Sequence, residues 1–153
     1  MRKNRVAAII VICTIAIIAA IVLPKVIDGT EKALVTSVID GDTVELADGR
    51  HVRYLGIDAP ESGEYYAENA TERNKELVEG KTVELQKGKQ DKDQYGRLLR
   101  YVYVDGVFVN AELIAGGYAK VYMFDADDPH SQALVELEDY AILRGLGLWG
   151  EGE

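Results

Sequence analysis

From Leu34 onward the apolar residues of this chain arrive only in short bursts, each closed by a turn signal, and that pattern restricts it to a fold of short strands. Leu34–Ile39, Thr43–Leu46 and His51–Ile57 are rich in Val, Leu and Ile and read as three strands. Asp48-Gly49 falls between the second and third, and both residue types tolerate the positive φ of a tight hairpin. Pro60 then breaks the pattern. Ala67, Ala70, Leu77 and Val78 recur at helical spacing until Gly80 stops the run. Thr82–Gln86 predicts a fourth strand, Gly88–Gly96 a polar loop, and Leu98–Val104 a fifth strand turning at Asp105-Gly106. A short helix is expected over Val109–Ala115, ending at Gly116-Gly117. The last helix is expected from Ser131, whose hydroxyl can cap it, to about Gly145, with Leu134, Leu137, Ala141 and Ile142 on one face.

Three strands, a helix, two strands and terminal helices suit a five-stranded Greek-key barrel of the oligonucleotide-binding type. The class is mainly β with three helices (α+β), preceded by an N-terminal apolar helix. A chain of 153 residues has room for one such domain with a real core, and not for two.

Arg2, Lys3 and Arg5 precede an uncharged apolar run from Val6 to Leu23, ended by Pro24. Eighteen residues lie near the lower limit for a membrane-crossing helix, and a basic stretch before an apolar core is also the form of a secretory signal. No clear A-x-A site precedes Pro24, and Ile12 stands before Cys13 where a lipoprotein site wants a small residue. Residues 1–24 therefore read as a signal-anchor, with a cleaved signal peptide as the alternative. Residues 25–33 form a tether and 34–150 the domain. Under both readings the basic flank stays inside and the domain is extracytoplasmic, membrane-anchored or secreted. It has no cysteine, so packing, with any bound metal, stabilises it instead of disulfides. Without Arg2, Lys3 and Arg5 it carries 14 basic against 26 acidic side chains, a formal charge of −12. A polyanionic partner is repelled at long range by such a surface unless cations gather at the site or salt screens it.

Three clusters carry chemistry. In Asp40-Gly41-Asp42-Thr43 the two acids, if extended, point to one face, where they need a cation or a proton between them. A turn whose Asp side chains bond their own backbone is the competing reading. In Arg53-Tyr54-Leu55-Gly56-Ile57-Asp58-Ala59-Pro60-Glu61, two carboxylates flank a rigid proline turn. An all-oxygen donor set suits a hard cation such as Ca²⁺, whereas His51 and His130 are isolated and read as surface residues. In Asp93-Gln94-Tyr95-Gly96-Arg97, Arg97 enters the fifth strand, where it can act with Arg53 as a pair of guanidinium forks on a phosphodiester. Solvated or ion-paired surface arginines are the alternative.

In this order and spacing, Ile39-Asp40-Gly41-Asp42-Thr43, Arg53 with Asp58-Ala59-Pro60-Glu61, and Tyr95-Gly96-Arg97 resemble the staphylococcal nuclease family. The likeness runs from about Leu34 to Trp149 and includes Leu113–Val121 and Gly147-Leu148-Trp149. The resemblance implies a Ca²⁺-dependent endonuclease that cleaves DNA and RNA, preferring single strands and leaving 3′-phosphates. It implies Asp42 and Asp58 as calcium ligands, the Ala59 backbone carbonyl as a third, and Asp40 as a carboxylate just behind them. Ala59 stands where the family often has threonine, a change without cost if only the carbonyl binds. Glu61 would activate or position the attacking water, Arg53 and Arg97 would hold phosphate, and Tyr95 would lie near the nucleotide. Two features depart from the family. The loop Ser62–Tyr66 is short and lacks lysine, and Val121-Tyr122-Met123-Phe124 does not align cleanly with the family's base-stacking tyrosines, leaving Tyr122 or Tyr118 as the candidate. A monomer is expected. A non-catalytic binding module would have lost these acids and arginines, and an acidic calcium-binding surface protein would not need the arginines.

Overall fold

The computed structural model describes residues 30–123 and 127–150. The apolar run expected to form the N-terminal helix, and most of the tether, lie outside these residues. Among the described residues no helix is long and apolar enough to cross a membrane.

Strand β1 (Glu31–Asp40) opens three residues before the apolar run that announced it. It pairs antiparallel with β2 (Thr43–Leu46), which pairs antiparallel with β3 (His51–Tyr54) through the hairpin at Asp48-Gly49. The other edge of β1 takes β5 (Thr82–Lys92), and β5 takes β6 (Leu98–Val104), both antiparallel. A parallel pairing of β6 with β3 closes the ring, giving a five-stranded mixed barrel. The small strand β7 (Val107–Phe108) hangs on β6. Three helices surround the barrel: α1 (Ala67–Val78), α2 (Val109–Ala115) and α3 (Ser131–Arg144). The expected architecture is therefore present.

The interior is filled by Val35, Val44, Leu46, Val52, Leu85, Leu99 and Val102, each at most 2 % exposed. Removing side chains of this kind from water contributes roughly 1.5–3 kcal/mol each. Strand β6 is buried along its whole length because it lies between β5 and β3 and beneath α2.

Several expectations need correction. The third strand does not run on to Ile57. Gly56 adopts φ +76°, a left-handed conformation with little penalty only for glycine, and the chain swings out of the barrel. Residues Ile57–Asp58 form a separate strand, β4, paired with β8 (Lys120–Val121). The polar stretch after Gln86 is not all loop, since β5 continues to Lys92 opposite β6. Ser131 does not cap α3. His130 is the capping position, and the Asp128 carboxylate accepts its N–H at 2.8 Å. Leu134 and Ala141 face inward on α3 as expected, but Ile142 is exposed. His130 is half-buried, not a free surface residue: its ring packs against Tyr101 and Phe108, with centroids 4.3 and 5.0 Å away.

Candidate active site

Asp40 and Asp42 flank Gly41 in a turn, not in the extended segment expected, with Asp40 opposite Thr43 across the hairpin. Asp40 takes the backbone role: its Oδ1 accepts the N–H of Asp42 at 3.0 Å. Asp42 points the other way, into the protein, and is only 4 % exposed. The turn is packed so tightly that a Cβ on Gly41 would lie 2.6 Å from that of Ala59 and 2.8 Å from that of Ala70. Gly41 therefore lets the first turns of α1 and the Asp58-Ala59-Pro60 turn close on the acidic loop from two sides.

Arg53 sits on β3 opposite Thr43 and ties these pieces together. Its Nε lies 3.1 Å from Asp42 Oδ1 as an ion pair, and its Nη2 donates to Asp58 Oδ1 at 2.7 Å. Nη1 donates to the carbonyls of Tyr54 and Ile57 at 2.7 and 2.8 Å. Three of the five N–H groups of the guanidinium thus donate hydrogen bonds and Nε faces Asp42, leaving one N–H on Nη2. Asp42 is equally engaged: Thr43 Oγ1 donates to its Oδ1 at 3.0 Å and the Ala59 N–H to its Oδ2 at 2.7 Å. Burial pushes the Asp42 carboxyl up to about 7, against Arg53 and the Ala59 N–H, which favour the charged form. Asp40 adds to the upward push.

This donor set fits a hard cation. Asp42 and Asp58 stand within the width of one guanidinium, since both bond to Arg53. A buried carboxylate beside a second acid is the kind of group an added cation relieves. Among the described residues no three acidic, His or Cys side chains gather closely enough to hold an ion alone. Coordination would rest on the two carboxylates, a backbone carbonyl and water, as oxygen-liganded cations accept.

Glu61 lies three residues beyond Asp58 and is exposed. Its loop is fixed from within: the Glu61 N–H donates to Glu64 Oε2 at 2.8 Å, and the Glu64 N–H to the Glu61 carbonyl at 2.9 Å. The Glu61 carboxylate takes no partner among the described residues and remains available to water.

Arg97 belongs to a second knot. Asp93 Oδ2 accepts its Nε at 2.7 Å, and Asp93 Oδ1 accepts the N–H groups of Tyr95 and Arg97 at 2.9 and 3.0 Å. Against the burial that raises it, the Arg97 guanidinium and these N–H groups hold the Asp93 carboxyl below its usual range. The Tyr95 ring is 76 % exposed, with Arg97 Cζ 5.6 Å from its centroid. The two arginines are engaged by separate carboxylates, not clasped as a pair. Register still relates them: Arg53 is opposite Leu99 on β6, and Arg97 immediately precedes that strand. Arg97 and Tyr95 line a cleft of about 290 Å³ with Arg50, His51 and Lys92. In this cleft Arg50 is occupied by Glu31 and Asp48, and Arg97 by Asp93. Tyr122 is half-exposed, and its N–H donates to the Gly56 carbonyl at 3.0 Å, beside the point where β4 leaves the barrel.

Residues without an assigned role complete the support. Asn74 is fully buried on α1. It accepts the Tyr54 hydroxyl at 2.9 Å and donates to the Asp40 carbonyl at 3.0 Å, locking helix to acidic turn. Its position four residues from both Ala70 and Val78 puts it on the apolar stripe, which was the available signal. Asn110 accepts the Val102 N–H and donates to the Leu55 carbonyl at 2.8 Å, holding the chain just before it departs at Gly56.

A family model described as staphylococcal nuclease homologue matches residues 51–151. The SPbeta prophage-derived endonuclease YokF of Bacillus subtilis (strain 168) is 37% identical over 124 residues, which cover 74% of this chain and 42% of that protein. An uncharacterized endonuclease of Escherichia coli O157:H7 is 38% identical over 123 residues, covering 78% of this chain and 77% of the relative. A thermonuclease of Staphylococcus intermedius is 30% identical over 128 residues, covering 78% and 76%. The chain thus spans less than half of YokF and about three quarters of the other two.

Proposed function

The chain carries a nuclease domain of the staphylococcal nuclease family, and on that premise we propose that it is a Ca²⁺-dependent endonuclease hydrolysing DNA and RNA, preferentially single-stranded, to products with 3′-phosphates. The family is generally Ca²⁺-dependent. The observation that carries the reading for this chain is the Arg53 knot, which joins Asp42 to Asp58, three residues before Glu61, whose carboxylate has no partner among the described residues. Asp42, Asp58 and the Ala59 carbonyl would hold the ion, with Asp40 fixing the turn behind them. Bound there, calcium supplies Lewis-acid stabilisation of charge on a phosphate oxygen.

The protein's own groups do the rest. Glu61 orients a water and accepts its proton as the water oxygen bonds to phosphorus. The P–O5′ bond breaks and the 5′-oxygen leaves, taking a proton from solvent to become the 5′-hydroxyl, so the phosphate stays on the 3′ side. Arg97 approaches the phosphate with the nitrogens that Asp93 does not use, and Arg53 with its remaining Nη2 proton. Donors aimed at developing charge are typically worth about 10²–10³ in rate. Tyr95 lies alongside the nucleotide, and Tyr122 is a candidate stacking surface.

Residues 1–24 extend the proposal to location: an extracytoplasmic monomer, tethered to the membrane or released by cleavage. Its acidic exterior suits a salty medium, where screening restores substrate approach.

Digestion of single-stranded DNA with Ca²⁺, with EGTA, and by Glu61→Gln in Ca²⁺ tests the core of this reading. Cleavage that needs calcium and collapses in the variant supports it. A folded wild-type protein that cuts nothing at any salt concentration would overturn it.

A further inference from the structure

The loop joining Glu61 to α1, Ser62–Tyr66, contains no basic residue, and with Glu61 and Glu64 on it the segment repels phosphate. Yet it carries two adjacent tyrosines, Tyr65 exposed and Tyr66 half-buried. The Tyr65 ring is 58 % exposed and packs on Tyr66, with centroids 5.6 Å apart. Tyr66 packs in turn on Tyr118, 5.7 Å away. Tyr118 lies so close to Gly116 that a Cβ there would come within 2.5 Å of its ring.

Adjacent side chains do not meet in a regular helix or strand, where they diverge around the axis or alternate between faces. Tyr65 and Tyr66 meet because Tyr66 adopts φ 69° and ψ 4°, a left-handed conformation costly for any residue with a Cβ. Such strain persists where the surroundings impose it, and it recurs at functional sites. The row is also well placed. Tyr66 is the capping position of α1, and one turn along that helix Ala70 packs on Gly41 of the acidic turn. At its other end the loop begins at Glu61, whose backbone is bonded to Glu64.

Resting on the nuclease reading, we propose that Tyr65, backed by Tyr66 and Tyr118, is a stacking platform for a nucleobase flanking the scissile phosphate. An electrostatic grip on the strand is unavailable on this loop, whereas an aromatic face accepts any base and loses little to salt. The platform binds the base and leaves the cleavage chemistry to other residues.

The test uses the full chain and a fluorescein-labelled oligodeoxythymidylate, with binding read by anisotropy in EGTA and cleavage followed in Ca²⁺. Tyr65→Ala should weaken binding by about 5- to 150-fold, the range of one base–aromatic stack. The slope of log affinity against log salt should stay unchanged, because no phosphate contact is lost. KM should rise in step while kcat holds. Tyr65→Trp should restore affinity. Replacing successive bases near the cut by abasic sites should reveal one position whose loss costs wild type as much as Tyr65→Ala and costs the variant nothing further. Unchanged affinity in Tyr65→Ala, or a fall in kcat without one in affinity, overturns the platform and leaves the nuclease reading intact. Binding that depends on Tyr65 without cleavage keeps the platform and overturns the hydrolytic reading. A wild-type protein that neither binds nor cuts overturns both.

Discussion

Arg53 Nε lies 3.1 Å from Asp42 Oδ1, and both side chains are under a tenth exposed. A buried carboxylate of this kind depends on its partner, because removing one member leaves an uncompensated charge in a poorly solvated place. Arg53→Met should therefore cost about 3–5 kcal/mol in urea denaturation at pH 8 without calcium. Asp42→Asn combined with Arg53→Met should cost less than the single arginine change. If the two losses simply add, the pair is not coupled as described.

Asp93 has no place in the chemistry but sets the direction of Arg97. Asp93→Asn keeps a carbonyl oxygen for the Tyr95 and Arg97 N–H groups and loses the charged clasp on Arg97 Nε. The fold should survive, while kcat falls about 10- to 100-fold through misplacement of the fork. Arg97→Lys should not rescue activity, since an ammonium cannot bond to Asp93 and present a planar fork at the same time. Full activity in Asp93→Asn would show that Arg97 needs no such support.

Close approach at Gly41 predicts an overpacking defect. Gly41→Ala places a methyl 2.6 and 2.8 Å from those of Ala59 and Ala70, and should cost about 1–3 kcal/mol in stability. Adding Ala70→Gly opens one of the two contacts and should recover part of the loss of calcium-dependent activity. A Gly41→Ala protein as stable as wild type would mean the three segments separate freely.

His130 predicts a pH effect outside the site. Burial against Tyr101 and Phe108 lowers its pKa from the usual 6.5, with Asp128 pulling the other way. The unfolded chain then takes up a proton near pH 6.5 that the folded chain refuses. Stability from this group is present above pH 6.5, begins to fall below it, and is fully lost below the folded-state pKa. His130→Gln cannot titrate, so the gap in urea midpoint between wild type and variant should narrow from pH 7.5 to pH 5. A constant gap would exclude the effect.

Much of this was legible because its causes are local. Asp48-Gly49 marked a hairpin, and Gly80 and Gly145 marked helix ends, because those positions need conformations few residues accept. Asp40, Asp42, Arg53 and Asp58 came together as a set only through the family resemblance, and the structure joins Arg53 to Asp42 and Asp58. The length of β5 was not, because Lys87–Lys92 is polar and its strand character comes from pairing with β6. Nor was the engagement of Arg53, whose partners depend on how three separate segments close around it. The same holds for His130, which is hidden only by Tyr101 and Phe108 from elsewhere in the chain. The exposure of Ile142 shows the limit of helical periodicity, which counts apolar faces without knowing what covers them.

The departure of the chain at Gly56 has a consequence for how the enzyme is made. Asp58 rides on β4, whose hydrogen-bond partner is β8 at Lys120–Val121, not any strand of the barrel that precedes it. A growing polypeptide can complete the first three strands long before that partner exists. Until residue 121 has emerged, the strand bearing Asp58 has no ladder to join, and that acid has only Arg53 to hold it. If Asp58 holds the ion as proposed, the site is finished only when the segment from Lys120 onward arrives, long after the strands that carry its other residues.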